Sequence, residues 1–137
     1  MDDDLPLFRL FAGEVMPPVN LCSLPSRLTD ALGTSATVVW VSREDMWKIR
    51  FKHRVTARHL PMMRIALRYG WAGIEPHRPR FMSFIYLDET VFHRPFKAVV
   101  KVTGEKHELF LETFHQCKPA HLRALIRRAT EHQPHFR

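Results

Sequence analysis

Two histidines, a lysine and a hydroxyl stand where they could act together on a phosphodiester. His53 ends a helix-like pattern directly after Lys52, and His115 closes a strand-like run that also contains Thr113. Cleaving RNA through its own 2′-hydroxyl needs a base for that hydroxyl, an acid for the leaving oxygen and cations for the charge on phosphorus. Histidine serves either proton role, since its ordinary pKa is about 6.5. We therefore predict that His53 and His115 are catalytic, with Lys52 or an arginine at the phosphate and Thr113 as a hydrogen-bond donor.

Each of these residues also has a structural interpretation. A histidine on the apolar face of a helix is often a hydrogen-bonded core residue, and one at a strand end is often an exposed imidazole. Lys52 is equally typical of a solvated helix end. Nine histidines raise the alternative of a metal site, but none is spaced i, i+4 from another, and Cys22 and Cys117 lie in no ligand-spaced cluster. We expect neither a metal nor a cofactor.

The charge balance predicts an acidic partner. Lys and Arg outnumber Asp and Glu by 21 to 14, and the formal net charge is +7. Nucleic acid fits best, because a basic surface gains affinity when phosphate counterions are released. We expect RNA, either tRNA or mRNA, and we assign substrate binding to Arg78, Arg80 and Arg94. The aromatic residues that could stack on bases, or could instead fill the core, are Trp47, Trp71, Phe81, Phe84, Tyr86 and Phe92.

Length and composition predict one globular domain inside the cell. The 137 residues suffice for a core, and 45% hydrophobic and 26% charged residues are ordinary values. The start, MDDDLPLFRLF, is acidic where a secretory signal would be basic, and no apolar run approaches the roughly 18 residues of a membrane span. We expect a cytoplasmic protein that does not enter a membrane. The sequence contains no GxxxxGK[ST], GxGxxG or GxSxG motif, so nucleotide hydrolysis and α/β-hydrolase chemistry have no support.

The first 35 residues differ in character from the rest. Pro6, Pro17, Pro18 and Pro25 recur there without a period, which favours an extended segment with short helical turns at most. Its leucines and phenylalanines are too apolar for a free tail. We predict a Pro-rich N-terminal arm or lid over residues 1–35 and a single α+β domain over residues 36–137.

The helix that carries His53 has a recognisable start. Thr37–Val41 is a β-branched and aromatic run, and Ser42 follows it with Asp45 three residues later. That pair is a variant of the capping box that begins helices. A strand therefore leads directly into a helix, and the helical period places His53 on the stripe that faces the core.

The remaining elements predict an α+β fold. A second helix is expected over residues 57–69 and a C-terminal helix over residues 119–130. Strands are expected over residues 71–75, 81–87, 96–103 and 107–115. The fold class is therefore α+β, with N-terminal helices followed by a four-stranded antiparallel sheet and a C-terminal helix.

The last two strands are expected to pair around a two-residue Gly104-Glu105 loop. This register sets Lys101 opposite Glu108 and Lys97 opposite Glu112. Because side chains alternate along a strand, the same register puts Thr113 and His115 on the face that carries the apolar residues. Lys101 then has a structural role as a partner of Glu108.

The arrangement resembles the barnase/EndoU/colicin/RelE-like (BECR) ribonuclease superfamily, and within it the phage-associated nuclease branch. The resemblance rests on VVWVSRED, the Lys52-His53 pair, PFKAVVKVT and HELFLETFH, and it covers roughly residues 38–129. It implies helices before a four-stranded antiparallel sheet that binds RNA. It further implies an acid or base at His53 and at His115, with Lys52, Lys101 and Thr113 as phosphate ligands.

Three functions follow as alternatives. The first is a metal-independent endoribonuclease, toxin-like or phage-associated, that leaves a 2′,3′-cyclic phosphate. A toxin of this kind would have an acidic antitoxin or immunity protein as its inhibitor. The second is an RNA- or DNA-binding module without catalysis. The third is a phage structural or interaction protein that uses the basic face against an acidic protein.

Overall fold

Helices and strands alternate in the first half of the chain, and strands dominate the second half. The computed structural model describes residues 4–75, 77–105, 107–120, 122–124 and 127. The helices are α1 (Leu5–Phe11), α2 (Ser26–Leu32), α3 (Arg43–Lys52) and α4 (Leu60–Tyr69), and a 3₁₀ turn over Ala57–His59 leads into α4. The strands are β1 (Val19–Ser23), β2 (Val38–Val41), β3 (Trp71–Glu75), β4 (Arg78–Asp88), β5 (Arg94–Val102) and β6 (Leu109–Gln116). Residues 119, 120, 122–124 and 127 are also helical, and the rest of the predicted C-terminal helix lies outside the described residues.

The six strands form one mixed sheet in the order β1-β2-β6-β5-β4-β3. All neighbours are antiparallel except β2 and β6, which run parallel. The α+β class is confirmed, but the prediction of four antiparallel strands is wrong. The four strands predicted for the sheet correspond to β3 to β6, and the strand predicted over Thr37–Val41 is present as β2. Strands β2 and β1 extend the sheet beyond β6. The pairing of β2 with β6 joins residues about seventy positions apart, which no local pattern reports.

The prolines that suggested an extended arm lie at the ends of regular elements. Pro6 stands in the first turn of α1, Pro25 is the N-cap of α2, and Pro17 and Pro18 precede β1. Proline is tolerated at these places because no hydrogen bond of a helix interior or ladder is lost there. Residues 5–32 therefore supply two helices and an edge strand, and their leucines, except the exposed Leu5, belong to the same core as the rest of the protein.

Capping fixes the start of α3 as the sequence predicts. Ser42 is the N-cap, and its Oγ accepts a hydrogen bond from the backbone N–H of Asp45 at 3.1 Å. The Ser42 hydroxyl also donates to the Asp45 carboxylate at 3.1 Å. At the other end His53 is the C-cap, and Arg54 turns the chain away with φ 54°. The helix that carries the candidate base thus begins and ends at defined residues.

An irregularity in the β5–β6 ladder decides which side chains of β6 face the core. Lys101 lies opposite Phe110 and Lys97 opposite His115, with a bulge beside Val99 and Val100. The predicted register is therefore wrong. The loop between β5 and β6 is longer than the two residues predicted. Next to this loop the pairing is shifted by two residues from the predicted register, so each side chain of β6 keeps its predicted face. After the one-residue bulge, each side chain of β6 lies on the face opposite to the predicted one.

The bulge gives β4, β5 and β6 one apolar and one polar face. The apolar face is covered by helices including α4 and carries Met82, Phe84, Phe96, Ala98, Val100, Leu109, Leu111 and Phe114, all fully buried. Directly paired residues of an antiparallel ladder share a face. The opposite face therefore carries Ser83 of β4, Lys97 and Lys101 of β5, and Thr113 and His115 of β6, together with the buried apolar Ile85 and Val99. We call this surface the polar face.

Because of the bulge, we expect substitution of Phe114 to destabilise the protein more than substitution of Thr113. Phe114 is fully buried and its ring stacks on that of Phe96 at a centroid distance of 5.5 Å. Phe114→Ala should cost about 3–5 kcal/mol of unfolding free energy, the usual cost of emptying a buried phenylalanine site. Thr113→Ala should cost less than about 1 kcal/mol, because the side chain is only half-buried. Urea unfolding of both variants checks this, and a larger loss in Thr113→Ala would mean that β6 alternates without the bulge.

Candidate active site

The rings of His53 and His115 stack at one end of α3. Their centroids are 5.1 Å apart and their planes are inclined by 26°. The contact arises because α3 packs against β6 and ends one residue before His53, while the bulge turns His115 toward the same side. Two residues that are 62 positions apart in the sequence are thereby brought together. Both side chains are half-buried, so they remain accessible from the surface.

A backbone contact sets the tautomer of His115. Its Nδ1 lies 3.0 Å from the backbone oxygen of Gln116. A carbonyl oxygen only accepts, so Nδ1 carries the proton and donates it. Proton transfer to or from a substrate is then left to Nε2. The Cys117 sulfur lies 3.9 Å from the same Nδ1, but burial raises the pKa of this thiol, so it stays protonated near neutral pH and does not form a Cys-His nucleophile.

His53 is held in its neutral form. Burial lowers the pKa of its imidazole below the ordinary value, and the positive charges of His115 and Lys52 lower it further. Each of these causes penalises the imidazolium. A neutral imidazole at pH 7 is suited to accept a proton, so His53 fits the role of a general base.

Lys97 is the cation placed directly opposite His115 in the ladder. Its Nζ lies 3.4 Å from Glu75 Oε1, and the Ser83 hydroxyl donates to the same carboxylate oxygen at 2.6 Å. Burial by itself would raise the pKa of Glu75, but the hydrogen bond from Ser83 and the charge of Lys97 bring it below the ordinary value. The carboxylate is therefore ionised near neutral pH and holds the lysine on the polar face.

Sequence reasoning missed Lys97 as a site residue because the predicted register gave it to Glu112. The alternation of the strand offers one signal, since Lys97 and Lys101 are four residues apart and so share a face. Only the register could have shown which of the two lies beside His115.

The other predicted site residues lie at different distances from the histidine pair. Thr113 is two residues before His115 on the same face, and Lys52 directly precedes His53 with an exposed side chain. Lys101 contacts Asp45 Oδ1 at 3.7 Å, not Glu108. It stands four residues from Lys97, about 13 Å along the strand. The structure thus groups Lys52 and Thr113 with the two histidines and places Lys101 further along the polar face.

The three predicted substrate-binding arginines are spread over both ends of the sheet. Arg78 lies over the Phe81 ring at 3.7 Å and its Nη2 is 3.4 Å from Glu112. Arg80 donates to the backbone oxygen of Gly104. Arg94 begins β5 at the opposite end and is exposed. They flank the polar face and do not form one cluster.

A second histidine anchors the end of β6. The backbone N–H of Thr56 donates to His59 Nδ1 at 3.0 Å, so the proton of the neutral ring is on Nε2. That atom lies 2.7 Å from the Gln116 side-chain amide, which must present its oxygen. Burial and the charge of Arg58 lower the pKa of His59, which agrees with a neutral ring. The His59–Gln116 bond ties β6 to the start of α4 next to His115, and no sequence pattern indicated it.

Neither a metal cluster nor a membrane-spanning helix is found in the described part of the chain. Across residues 4–75, 77–105, 107–120, 122–124 and 127, no three His, Cys, Asp or Glu side chains are grouped so that they could hold an ion. No helix within these residues is long and apolar enough to cross a membrane. No protein-family model, curated protein or solved structure matches this chain.

The lowered histidine pKa values predict a loss of stability in mild acid. Below about pH 6.5 the unfolded chain protonates its histidines, while the folded state resists protonation at His53 and His59. The contribution of these two histidines to the unfolding free energy is therefore fully present above about pH 6.5. It is lost as the pH drops through their folded-state pKa values. We expect a lower urea midpoint at about pH 5 than at about pH 7.5, and a smaller drop in His53→Gln.

His107 provides the matched control, because it is exposed beside Glu105 in the β5–β6 loop. His107→Gln should keep the acid sensitivity of the wild type. An undiminished drop in His53→Gln would show that the folded state does not penalise protonation of His53.

Proposed function

We propose that this protein is a metal-independent endoribonuclease that cleaves RNA by attack of the 2′-hydroxyl. The observation that supports this most is the stacked pair of His53 and His115, in which the pKa of His53 is lowered and His115 Nδ1 donates to the Gln116 backbone oxygen, which leaves Nε2 for proton transfer. The two imidazoliums would repel each other at 5.1 Å, so the pair holds one proton more readily than two. A pair with one proton contains both an acid and a base at the same pH.

In the proposed reaction His53 accepts the proton of the 2′-hydroxyl. The 2′-oxygen then forms a bond to phosphorus, and the bond from phosphorus to the 5′-oxygen of the next nucleotide breaks. Protonated His115 donates from Nε2 to that departing oxygen. The products are a 2′,3′-cyclic phosphate and a 5′-hydroxyl, and the proton taken up by His53 balances the one given by His115.

The charge that accumulates on the phosphoryl oxygens needs cations and hydrogen-bond donors. Lys97 is the cross-strand neighbour of His115, Lys52 directly precedes His53, and Thr113 lies on the same face of β6 as His115. Positioned donors of this kind stabilise developing charge by about 3–4 kcal/mol each where they have been removed individually. Because Glu75 holds Lys97 in place, little reorganisation is needed when the phosphate arrives.

The resemblance to the BECR ribonucleases supports the same proposal, since helices precede the antiparallel strands β3 to β6 in this chain. On this reading the protein is cytoplasmic, acts on tRNA or mRNA as a toxin-like or phage-associated nuclease, and is inhibited by an acidic antitoxin or immunity protein. The net charge of +7 supports both an RNA substrate and an acidic inhibitor.

Cleavage in EDTA tests the proposal. The wild type should cut tRNA or total RNA without a metal, and His53→Ala or His115→Ala should each lower the rate by about 10² to 10⁴, the usual contribution of one acid or base. His107→Ala, at an exposed loop position, is the matched control and should cut at the wild-type rate. Full activity in both His53→Ala and His115→Ala would remove the proposed site.

Non-catalytic RNA binding is the second candidate, because two rings stacked at 5.1 Å leave no room for a phosphate between them. Binding without catalysis predicts that neither the wild type nor the double His53→Ala, His115→Ala variant cuts RNA, while both retard it on a gel at low salt.

Variants of the two lysines of β5 test whether the β5–β6 register of the structure or the predicted register is correct. Lys97→Met removes the charge beside His115 but keeps the length of the side chain, so cleavage should fall about 10² to 10³-fold. Lys101→Met should change the rate only a few-fold, because Lys101 is paired with Asp45 further along the strand. Circular dichroism verifies that both variants are folded. A greater loss in Lys101→Met would favour the phosphate ligand that the family resemblance implies.

A further inference from the structure

An aromatic groove lies between α1 and α3, on the side of α3 that faces away from the core. Phe11, Arg43, Trp47, Arg50 and Phe51 line it, and its volume is about 390 Å³. We refer to this feature as the aromatic groove. Its size is within the range of pockets that hold small ligands or a single nucleotide.

The two aromatic side chains of α3 in the groove are open to solvent. Trp47 is 58% exposed and Phe51 56% exposed, and their ring centroids are 5.2 Å apart. An i, i+4 pair of this kind stabilises a helix by only about 0.2–0.5 kcal/mol. Helix stability alone is therefore a weak reason for two large exposed rings at neighbouring positions. Their accessible faces are suited to stacking against another flat group.

Two arginines make the groove cationic and hold its shape. Arg50 lies over the rings of Phe11 and Phe51, at 4.9 and 5.0 Å from their centroids, and donates to the backbone oxygen of Phe11 at 2.8 Å. Arg43 donates to the backbone oxygen of Gly13 at 3.3 Å. A guanidinium has five N–H donors, so these contacts leave others for an anion. The acidic side chain at the groove, Glu44, lies 3.8 Å from Lys48.

Flat rings together with arginine donors match the chemistry of a nucleotide. Unpaired bases stack on aromatic side chains and on guanidinium planes, and arginine binds the attached phosphate. An acidic protein segment would use the arginines but has no comparable need for two exposed ring faces. Charge complementarity therefore favours a polyanion that also carries flat apolar groups.

Helix α3 joins the groove to the histidine pair. Phe51 is two residues before His53, a rise of about 3 Å along the helix axis, and Lys52 lies between them. We propose that the aromatic groove stacks an unpaired base of the same RNA strand that is cleaved at His53 and His115. This inference rests on the proposed nuclease function and adds a substrate preference, because a base within a duplex cannot enter the groove.

The test uses a DNA strand of about twelve nucleotides, a length within the usual site sizes for single-strand binding. DNA lacks the 2′-hydroxyl, so the probe is bound without being cut. A strand with the same number of phosphates but no bases reports the contribution of charge alone. Affinities of both strands for the full chain are measured by fluorescence anisotropy at one fixed low salt concentration.

We expect the wild type to bind the base-containing strand more tightly than the abasic one. Trp47→Ala and Phe51→Ala should each weaken binding of the base-containing strand by about 5- to 100-fold and leave abasic binding unchanged. Both side chains are more than half exposed, so truncation should not unfold the protein. Tyr69→Ala is the matched control, since Tyr69 is 62% exposed on α4, outside the groove, and the variant should give wild-type affinities.

Two outcomes would overturn the inference. Equal affinity of the wild type for both strands would mean that only charge is recognised. Wild-type affinities in Trp47→Ala and Phe51→Ala would mean that the groove does not hold a base, and if these variants instead reduced self-association in sedimentation, a second copy of the chain would be the occupant.

The nuclease activity and the base-binding groove can be lost independently, and each loss gives its own combination of results. A protein that leaves RNA intact yet shows the Trp47-dependent preference for bases would keep the base-binding groove and lose the catalytic site. A protein that cuts RNA without any preference for the base-containing strand would do the reverse.

Discussion

The bulge in the β5–β6 ladder is the constraint on which the candidate site depends. Glu112 is the extra residue of β6, and after it the bulge turns Phe114 into the core and His115 toward the polar face. A regular strand would bury the imidazole among apolar side chains and expose a phenylalanine, which costs free energy twice over. Burial of the Phe114 ring, by the usual cost of emptying such a site, contributes about 3–5 kcal/mol. The apolar side of the sheet thus holds the polar face in register.

The polar face carries its cations together with acidic partners. Lys97 lies beside Glu75, Lys101 beside Asp45 and Arg78 beside Glu112. Partly exposed pairs of this kind contribute only about 0–1 kcal/mol each, so they explain little of the stability. They matter more for orientation, because long side chains are kept on one surface before any ligand binds.

Local and non-local features of the fold differ in how far the sequence predicts them. Ser42 and Asp45 are three residues apart, so their hydrogen bonds can be anticipated, and the helix they begin is present. The parallel pairing of β2 with β6 and the bulge beside Val99 depend on distant parts of the chain. The prediction of His53 and His115 as a pair needed only residue types and approximate positions. The identity of the nearest lysine needed the register, and the His59–Gln116 bond needed the packed structure.

Helix α3 contributes residues to the candidate site, to the polar face and to the aromatic groove. Its N-terminal turn places Asp45 against Lys101, its middle exposes Trp47, and its C-terminal end presents His53 to His115. A ten-residue helix is about 15 Å long, which is short enough for one strand of RNA to contact both its outer face and its end. Because Met46 and Ile49 are buried in the core, the helix cannot rotate without exposing them. The spacing between the aromatic groove and the histidine pair is therefore fixed by the same packing that holds β6 in place.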